Sequence, residues 1–220
     1  MFYTNNNKLG VRIVETYLST DQVKLARQLV TDNDNLEGLV ISAGSLDPKL
    51  VLVAEAPPGA KEIETGLPFM GPPSGQELNK WLDYLGIKRT EVYFAKTVFG
   101  RPFKLKAERK SDRKPTNAEL KAFAPLLDAE LTHFTDRLIV PVGGTALSRL
   151  LGKQATITNL HGQLITAPVQ RLDPVTNKYE LTQQTYQLFP LFHPSYVRRF
   201  PSKRNLAYQD LDILKQLLNP

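Results

Sequence analysis

Glu55 follows the apolar run of residues 51–54 and comes just before Pro57-Pro58-Gly59. A carboxylate therefore stands where a buried strand ends and the chain must turn. A second acid, Glu62, lies inside the loop that follows. Far along the chain, a strand-like run ends at Phe192 and is followed at once by His193-Pro194-Ser195-Tyr196. In open parallel α/β sheets, ligands sit beyond the carboxyl ends of the strands. If the two strands are parallel neighbours or near-neighbours, Glu55 and His193 face one crevice. A carboxylate orients or deprotonates water and stabilises a developing cation, and a histidine donates a hydrogen bond to a leaving anion. Together they suit hydrolysis of a bond whose leaving group departs with negative charge. Phe69, held by Pro68 and flanked by Gly66 and Gly71, offers a flat face to a base or ring. The Ser74-Gly75-Gln76 turn at a helix start offers backbone N–H groups to a phosphate. Each feature also has a plainer origin: a solvated loop acid, a polar turn residue, a core phenylalanine.

These residues need strands behind them. Continuous apolar character makes residues 50–55 a buried strand. Further strands are expected at 92–98, 137–142 and 187–192, the last after an antiparallel excursion over 162–192. Helices fall between them. Ser19/Gln22, Ser74/Glu77 and Thr116/Glu119 have capping-box spacing. Leu78, Trp81, Leu82 and Leu85 make one apolar face, closed by Gly86. Leu120, Phe123, Leu127 and Leu131 make another, with Pro125 as a kink. Leu211, Leu214 and Leu218 mark a C-terminal helix, and Val23, Ala26 and Val30 an N-terminal one. Residues 1–16 show no clear period. Strand–helix alternation of this kind predicts an α/β sandwich on a mostly parallel sheet. No linker divides the chain, so residues 1–220 are expected to form one domain. Residues 1–49 would be an N-terminal helical extension and 50–220 the core.

Composition narrows the chemistry. The chain has 220 residues and no cysteine, which excludes disulfides, thiolate clusters and thiol catalysis. Three histidines and no thiol make a dedicated zinc site an unsuitable expectation. Glycine-rich nucleotide loops are absent, so no cofactor or metal is expected. No apolar run approaches bilayer length and no signal peptide is evident, so a cytoplasmic monomer is expected. A formal charge of +6 suits a polyanionic partner. Much of it lies in a basic loop over 99–115, with Arg101, Lys104, Lys106, Arg109, Lys110, Arg113 and Lys114.

The order AEAPPGAKE, TGLPFMG, SGQEL, LGIKRTEVYFAKTVFGRP, IVPVGGTAL and FHPSYVRR resembles the uracil-DNA glycosylase superfamily, nearest its family 4 branch. The resemblance runs from about residue 50 to the C-terminus, and TGLPFMG and FHPSYVRR are its specific parts. It implies a three-layer α/β/α sandwich with a mainly parallel, four-stranded central sheet, and excision of a base from DNA. Glu55 matches the glutamate of the first motif and Glu62 the acid before TGxPF; both would be catalytic. Phe69 matches the residue that stacks on the flipped base, and His193 the one that stabilises the departing base anion. Ser195, Tyr196, Arg198 and Arg199 match a loop that enters the minor groove. Glycosidic cleavage develops positive charge on the sugar, which Glu55 or Glu62 would meet.

Three departures stand out. Family 4 members hold an iron–sulfur cluster on four cysteines, and this chain has none. Gly100 stands in place of one of them, and Asn35-Leu36-Glu37-Gly38 lies where an N-terminal pair would be. The asparagine that reads uracil is Lys96 here, and an ammonium offers donors only. Motif one carries an extra residue, and Ala54 replaces its leading glycine. The resemblance thus implies a DNA glycosylase for uracil or another deaminated base. A catalytically altered nucleic-acid-binding protein on the same scaffold is the alternative, and a small-molecule α/β hydrolase a weaker third.

Overall fold

The computed structural model describes residues 2–7, 10–71 and 73–219. In a segment without sequence periodicity, β1 (Phe2–Asn7) and β2 (Gly10–Glu15) pair as an antiparallel hairpin. Helix α1 (Thr20–Thr31) begins at the expected capping box. Ser19 Oγ accepts from the Gln22 N–H at 3.2 Å, and Gln22 Oε1 from the Ser19 N–H at 2.8 Å. Two short strands follow, β3 (Leu36–Glu37) and β4 (Ala43–Gly44). Next comes β5 (Leu50–Ala54), buried along its whole length. The segment after Glu55, expected as loop, contains helix α2 (Gly59–Thr65).

Helix α3 (Ser74–Leu85) buries Leu78, Trp81, Leu82 and Leu85 and stops at left-handed Gly86, as its spacing predicts. Its expected capping box does not form. Pro73 is the N-cap, Ser74 is already helical, and Glu77 Oε1 instead accepts from the Trp81 indole N–H at 3.2 Å. Strand β6 (Val92–Lys96) leads into the basic segment. That segment is a hairpin rather than a loop, formed by β7 (Arg101–Lys106) and β8 (Arg109–Asp112), and β7 pairs antiparallel with β3. Helix α4 (Asn117–Leu131) starts at the Thr116/Glu119 box and continues through Pro125. Strand β9 (Leu138–Pro141), α5 (Gly144–Leu151) and the one-turn α6 (Ile157–Leu160) precede a long antiparallel pair, β10 (Ile165–Leu172) and β11 (Tyr179–Leu188). Helices α7 (Pro194–Arg199) and α8 (Arg204–Leu218) end the described chain.

The central sheet has six strands in the order β10-β11-β9-β5-β6-β4, not four. Its parallel core is β11-β9-β5-β6; β5, β6 and β9 are strands expected from sequence, whereas β11 takes in only the first two residues of the strand expected at 187–192. The additions are antiparallel edges, β10 beyond β11 and β4 beyond β6. Strand β4 is too short to show a period, and β10 belongs to the excursion that returns as β11. The segment before residue 50 also supplies β3 and α1 as well as β4, so it is not helical alone.

Side-chain alternation builds the layers. Leu50, Leu52, Ala54 and Phe94 face α3, α7 and α8, whereas Val51, Val53, Tyr93 and Ala95 face α4 and α5. A third apolar cluster joins α1 to α4 through Val30, Leu36, Phe99 and Phe123. The chain runs from β5 to its neighbour β6, then crosses to the other side at β9. The strand order therefore reverses at β5, and ligand crevices of open α/β sheets lie at such a point.

Candidate active site

Glu55 directly follows β5 at this reversal. By alternation it leans toward the α4/α5 side, where its Oε2 accepts from the Thr145 hydroxyl on the first turn of α5. Burial pushes the Glu55 carboxyl above its ordinary range, against the opposing pull of the Thr145 hydrogen bond and the Lys114 ammonium. A carboxylate with a raised pKa is a better proton acceptor than an exposed one. Sequence reasoning missed Thr145, although its position after the strand-end pair Gly143-Gly144 is a usable signal.

His193 lies one strand further along the same edge. Strand β9 separates β5 from β11, and the parallel register continues past both strands through the Val142–Leu191 bridge. The step over β9 is made at Gly143. This residue has φ +89, and a Cβ there would lie 3.2 Å from the His193 Cβ, so both the backbone and the close approach call for glycine. His193 Nδ1 accepts from the Ser195 backbone N–H at 3.2 Å and lies 2.7 Å from Ser195 Oγ. Because an amide N–H can only donate, Nδ1 must be the unprotonated nitrogen. Burial, with Arg199 adding repulsion, lowers the histidine pKa to about 4. At neutral pH the ring is thus uncharged and carries its proton on Nε2, a donor free of the Ser195 cap.

Phe69 is buried, with its ring centroid 6.1 Å from that of His193 and 6.2 Å from that of Phe94. Its φ of +54 is a strained value for a phenylalanine. Two contacts hold it there. Arg89 donates to the Pro68 carbonyl while its guanidinium lies 4.5 Å from the Phe94 ring centroid. Gly75 lets the Phe69 carbonyl approach so closely that a Cβ would stand 2.1 Å from that oxygen. Gly75 therefore serves the platform, and its N–H is spent on the Gly71 carbonyl at 2.9 Å. Ser74 is buried and Gln76 exposed. Of this expected phosphate-binding turn, only Gln76 faces solvent.

Lys96 and Glu62 form a pair that sequence spacing does not join. Lys96 ends β6 on the Phe94 face, and its Nζ lies 3.2 Å from Glu62 Oε1 on α2. Each residue is 1% exposed. Burial lowers the Lys96 pKa, and the Glu62 charge opposes that shift. Glu62 Oε2 is buried without a hydrogen-bond partner among the described residues. The two candidate carboxylates therefore occupy different surroundings, Glu55 beside Thr145 and Glu62 against Lys96.

The segment expected as a minor-groove loop is helix α7. His193 is the N-cap of α7, its Nδ1 accepting from the Ser195 N–H, and Tyr196 packs between Phe192 and Phe200, its ring centroid 5.4 and 4.8 Å from theirs. Arg198 and Arg199 are exposed. Lys114, just past the basic hairpin, lies close enough to act on Glu55. Within it, Arg101 is bound by Glu37 and Asp112, Lys110 by Glu37, and Arg113 by Glu119. Lys104, Lys106 and Arg109 are exposed and make no ion pair among the described residues.

The residues present do not fit an iron–sulfur cluster. No thiol exists in the chain. At Gly100 a Cβ would meet Val30 Cγ2 at 2.8 Å and Leu36 Cβ at 3.3 Å, so apolar packing fills the place of a ligand side chain. The β3–β7 pairing and the Glu37 ion pairs tie down the hairpin there.

Comparison with known proteins agrees with this architecture. Residues 41–213 match the family model of the uracil DNA glycosylase superfamily. A type-4 uracil-DNA glycosylase of Thermotoga maritima is 32% identical over 187 residues, covering 84% of this chain and 85% of that protein. One from Pyrobaculum aerophilum is 29% identical over 174 residues, covering 76% of this chain and 77% of its own. The matched span runs from before β4 into α8 and contains every residue of the strand-edge site. The chain belongs to the uracil DNA glycosylase superfamily.

Proposed function

We propose that the protein is a DNA glycosylase that hydrolyses the N-glycosidic bond of uracil, or of another deaminated base, after the base has flipped out of DNA. The observation that carries this is Phe69 beside a neutral His193, at the sheet edge where Glu55 follows β5. A base inside a duplex is out of reach, so it must leave the stack for a pocket. Phe69 supplies the flat face on which it rests. As the bond to C1′ breaks, its electron pair goes to the base and the sugar becomes oxocarbenium-like. His193 Nε2–H donates to the oxygen where the base's negative charge gathers. Glu55 stabilises the cation and takes a proton from the water whose oxygen joins C1′. That proton then returns, through solvent, to the departed base. No metal or cofactor enters this scheme.

DNA would lie across the edge between the basic hairpin and α7, with Lys104, Lys106, Arg109, Lys114, Gln76, Arg198 and Arg199 available to phosphates. The proposal includes a monomer acting in the cytoplasm. A single-turnover assay on duplexes carrying one uracil, hypoxanthine or xanthine tests it. Release of uracil or another of these bases is expected, and no abasic product from any of them would overturn it. Phe69→Ala and His193→Ala should each slow base release by roughly 100-fold or more while DNA affinity stays within about threefold. Equal losses of rate and affinity would contradict both roles. The buried Lys96–Glu62 pair favours one second reading, a nucleic-acid-binding protein without catalysis. Salt-sensitive binding with no base released would establish it.

A further inference from the structure

We propose that Lys96 and Glu62 together read the edge of the flipped base, and that the site selects bases presenting a carbonyl next to a ring N–H. This rests on the glycosylase function proposed above. A single amide side chain can read such an edge, because it donates from nitrogen and accepts at oxygen. Lys96 alone can only donate. The structure supplies the missing acceptor. Glu62 Oε1 engages Lys96 Nζ at 3.2 Å, and Glu62 Oε2 is buried with no partner among the described residues.

The pair sits on the platform side of the sheet. Lys96 lies two residues beyond Phe94, and strand alternation puts both on one face; the Phe94 ring neighbours that of Phe69. Helix α2 brings Glu62 to this face, and its backbone N would lie 3.7 Å from a Cβ at Gly71, close behind the platform turn. An ammonium donor and a carboxylate acceptor thus stand side by side on the sheet face that carries Phe94 and Phe69, and the edge of the base is proposed to lie there.

The chemistry favours one class of base. Uracil, hypoxanthine and xanthine each offer a carbonyl oxygen to Lys96 and an adjacent ring N–H to Glu62 Oε2. Cytosine and adenine offer an amino group beside a lone pair. They would set donor against donor and acceptor against acceptor, with both charged groups buried. The orphaned oxygen, a cost in the free protein, gains its partner only when the right base arrives. Glu62 is then a specificity residue, distinct from Glu55, which meets the sugar and the water.

The test is a single-turnover assay of wild type, Glu62→Gln and the double variant Lys96→Asn/Glu62→Gln on a duplex with one uracil, with 3-methyluracil as a second substrate for wild type. In Glu62→Gln the amide oxygen faces Lys96, so its NH2 opposes the ring N–H; uracil release should fall on the order of 100-fold. In the double variant the asparagine amide supplies both donor and acceptor, so the rate should recover to within about tenfold of wild type. Wild type should reject 3-methyluracil, in which the ring N–H is blocked. Unchanged uracil release by Glu62→Gln would overturn the proposal and leave glycosylase activity standing. So would a double variant that melts at the wild-type temperature yet stays slow. Equal release of uracil and 3-methyluracil by wild type would also overturn it, whether or not the variants fold. If wild type releases no base at all, the glycosylase function itself fails, and this assignment with it.

Discussion

The site depends on a few residues held in conformations they would not adopt alone. Phe69 keeps a left-handed backbone because Arg89 grips the carbonyl of Pro68 and Gly75 yields space to its own. His193 keeps one tautomer because the Ser195 N–H can do nothing but donate. Glu55 is balanced between burial, which favours its neutral form, and Thr145, which favours the carboxylate. Catalysis by the carboxylate requires ionisation, so the rate should rise with pH through an apparent pKa above the ordinary carboxylate value. Removing the Thr145 hydrogen bond removes a stabiliser of the charged form. Thr145→Val should therefore move this acidic limb to higher pH, as a pH–rate profile under single-turnover conditions would show. A limb unmoved, or moved to lower pH, would mean that Glu55 is not the group titrating.

At the scale of elements, the hairpin of β7 and β8 is the least expected part. Its base is fixed by the β3 pairing and by Glu37, which serves both Arg101 and Lys110. Its tip carries Ala107 and Glu108, both with positive φ, and an exposed Leu105 between Lys104 and Lys106. Ion pairs hold the base, and the exposed cations Lys104, Lys106 and Arg109, without an ion pair among the described residues, are the ones proposed to meet DNA. Changing Lys104, Lys106 and Arg109 to alanine should weaken DNA binding. The slope of log affinity against log salt should flatten by about one unit for each phosphate left without its cation. Melting temperature should hardly change, since these side chains are exposed. Anisotropy titrations over a salt series would measure affinity and slope together, and an unchanged slope would remove the hairpin from the DNA interface.

At the scale of the whole molecule, one buried acid makes stability depend on pH. Glu130 of α4 lies fully inside the protein, where Tyr93 donates to it at 2.5 Å, and burial pushes its pKa to about 8. Unfolded, it would titrate near 4.5. Between those values the folded protein holds a proton that the unfolded chain releases. Stability is thus fully present below the lower pKa and falls as pH rises through the window, by up to about 1.4 kcal/mol per pH unit. Above the folded pKa the loss is complete. Glu130→Gln keeps the shape without the ionisation, and should flatten the fall in thermal midpoint between about pH 5 and 8. A variant with the wild-type slope would exclude Glu130 as its source.

Local rules carried much of this fold. Three apolar runs became β5, β6 and β9, because a strand covered on both faces has to be apolar along its length, whereas the largely polar β11 joins them only at Gln187 and Leu188. Ser19/Gln22 and Thr116/Glu119 set their helix starts within one turn of chain. Glu55, Phe69 and His193 stood out by the same logic, each at a strand end or tight turn. What sequence could not supply were partners distant along the chain. Two-residue β4 has no period to detect, and the β7–β8 turn lacks the glycine or asparagine that marks a hairpin. Ser74/Glu77 had the right spacing for a cap, but Pro73 starts the helix and the Trp81 indole claims Glu77. Spacing likewise left Glu55 and Glu62 equivalent. Only the tertiary structure separated them, because alternation along two paired strands sent Glu55 toward Thr145 and Lys96 toward Glu62. The residue types that can do chemistry were fixed in the sequence; which acid lies beside Thr145 and which against Lys96 was decided by the packing of helices on opposite faces of one sheet.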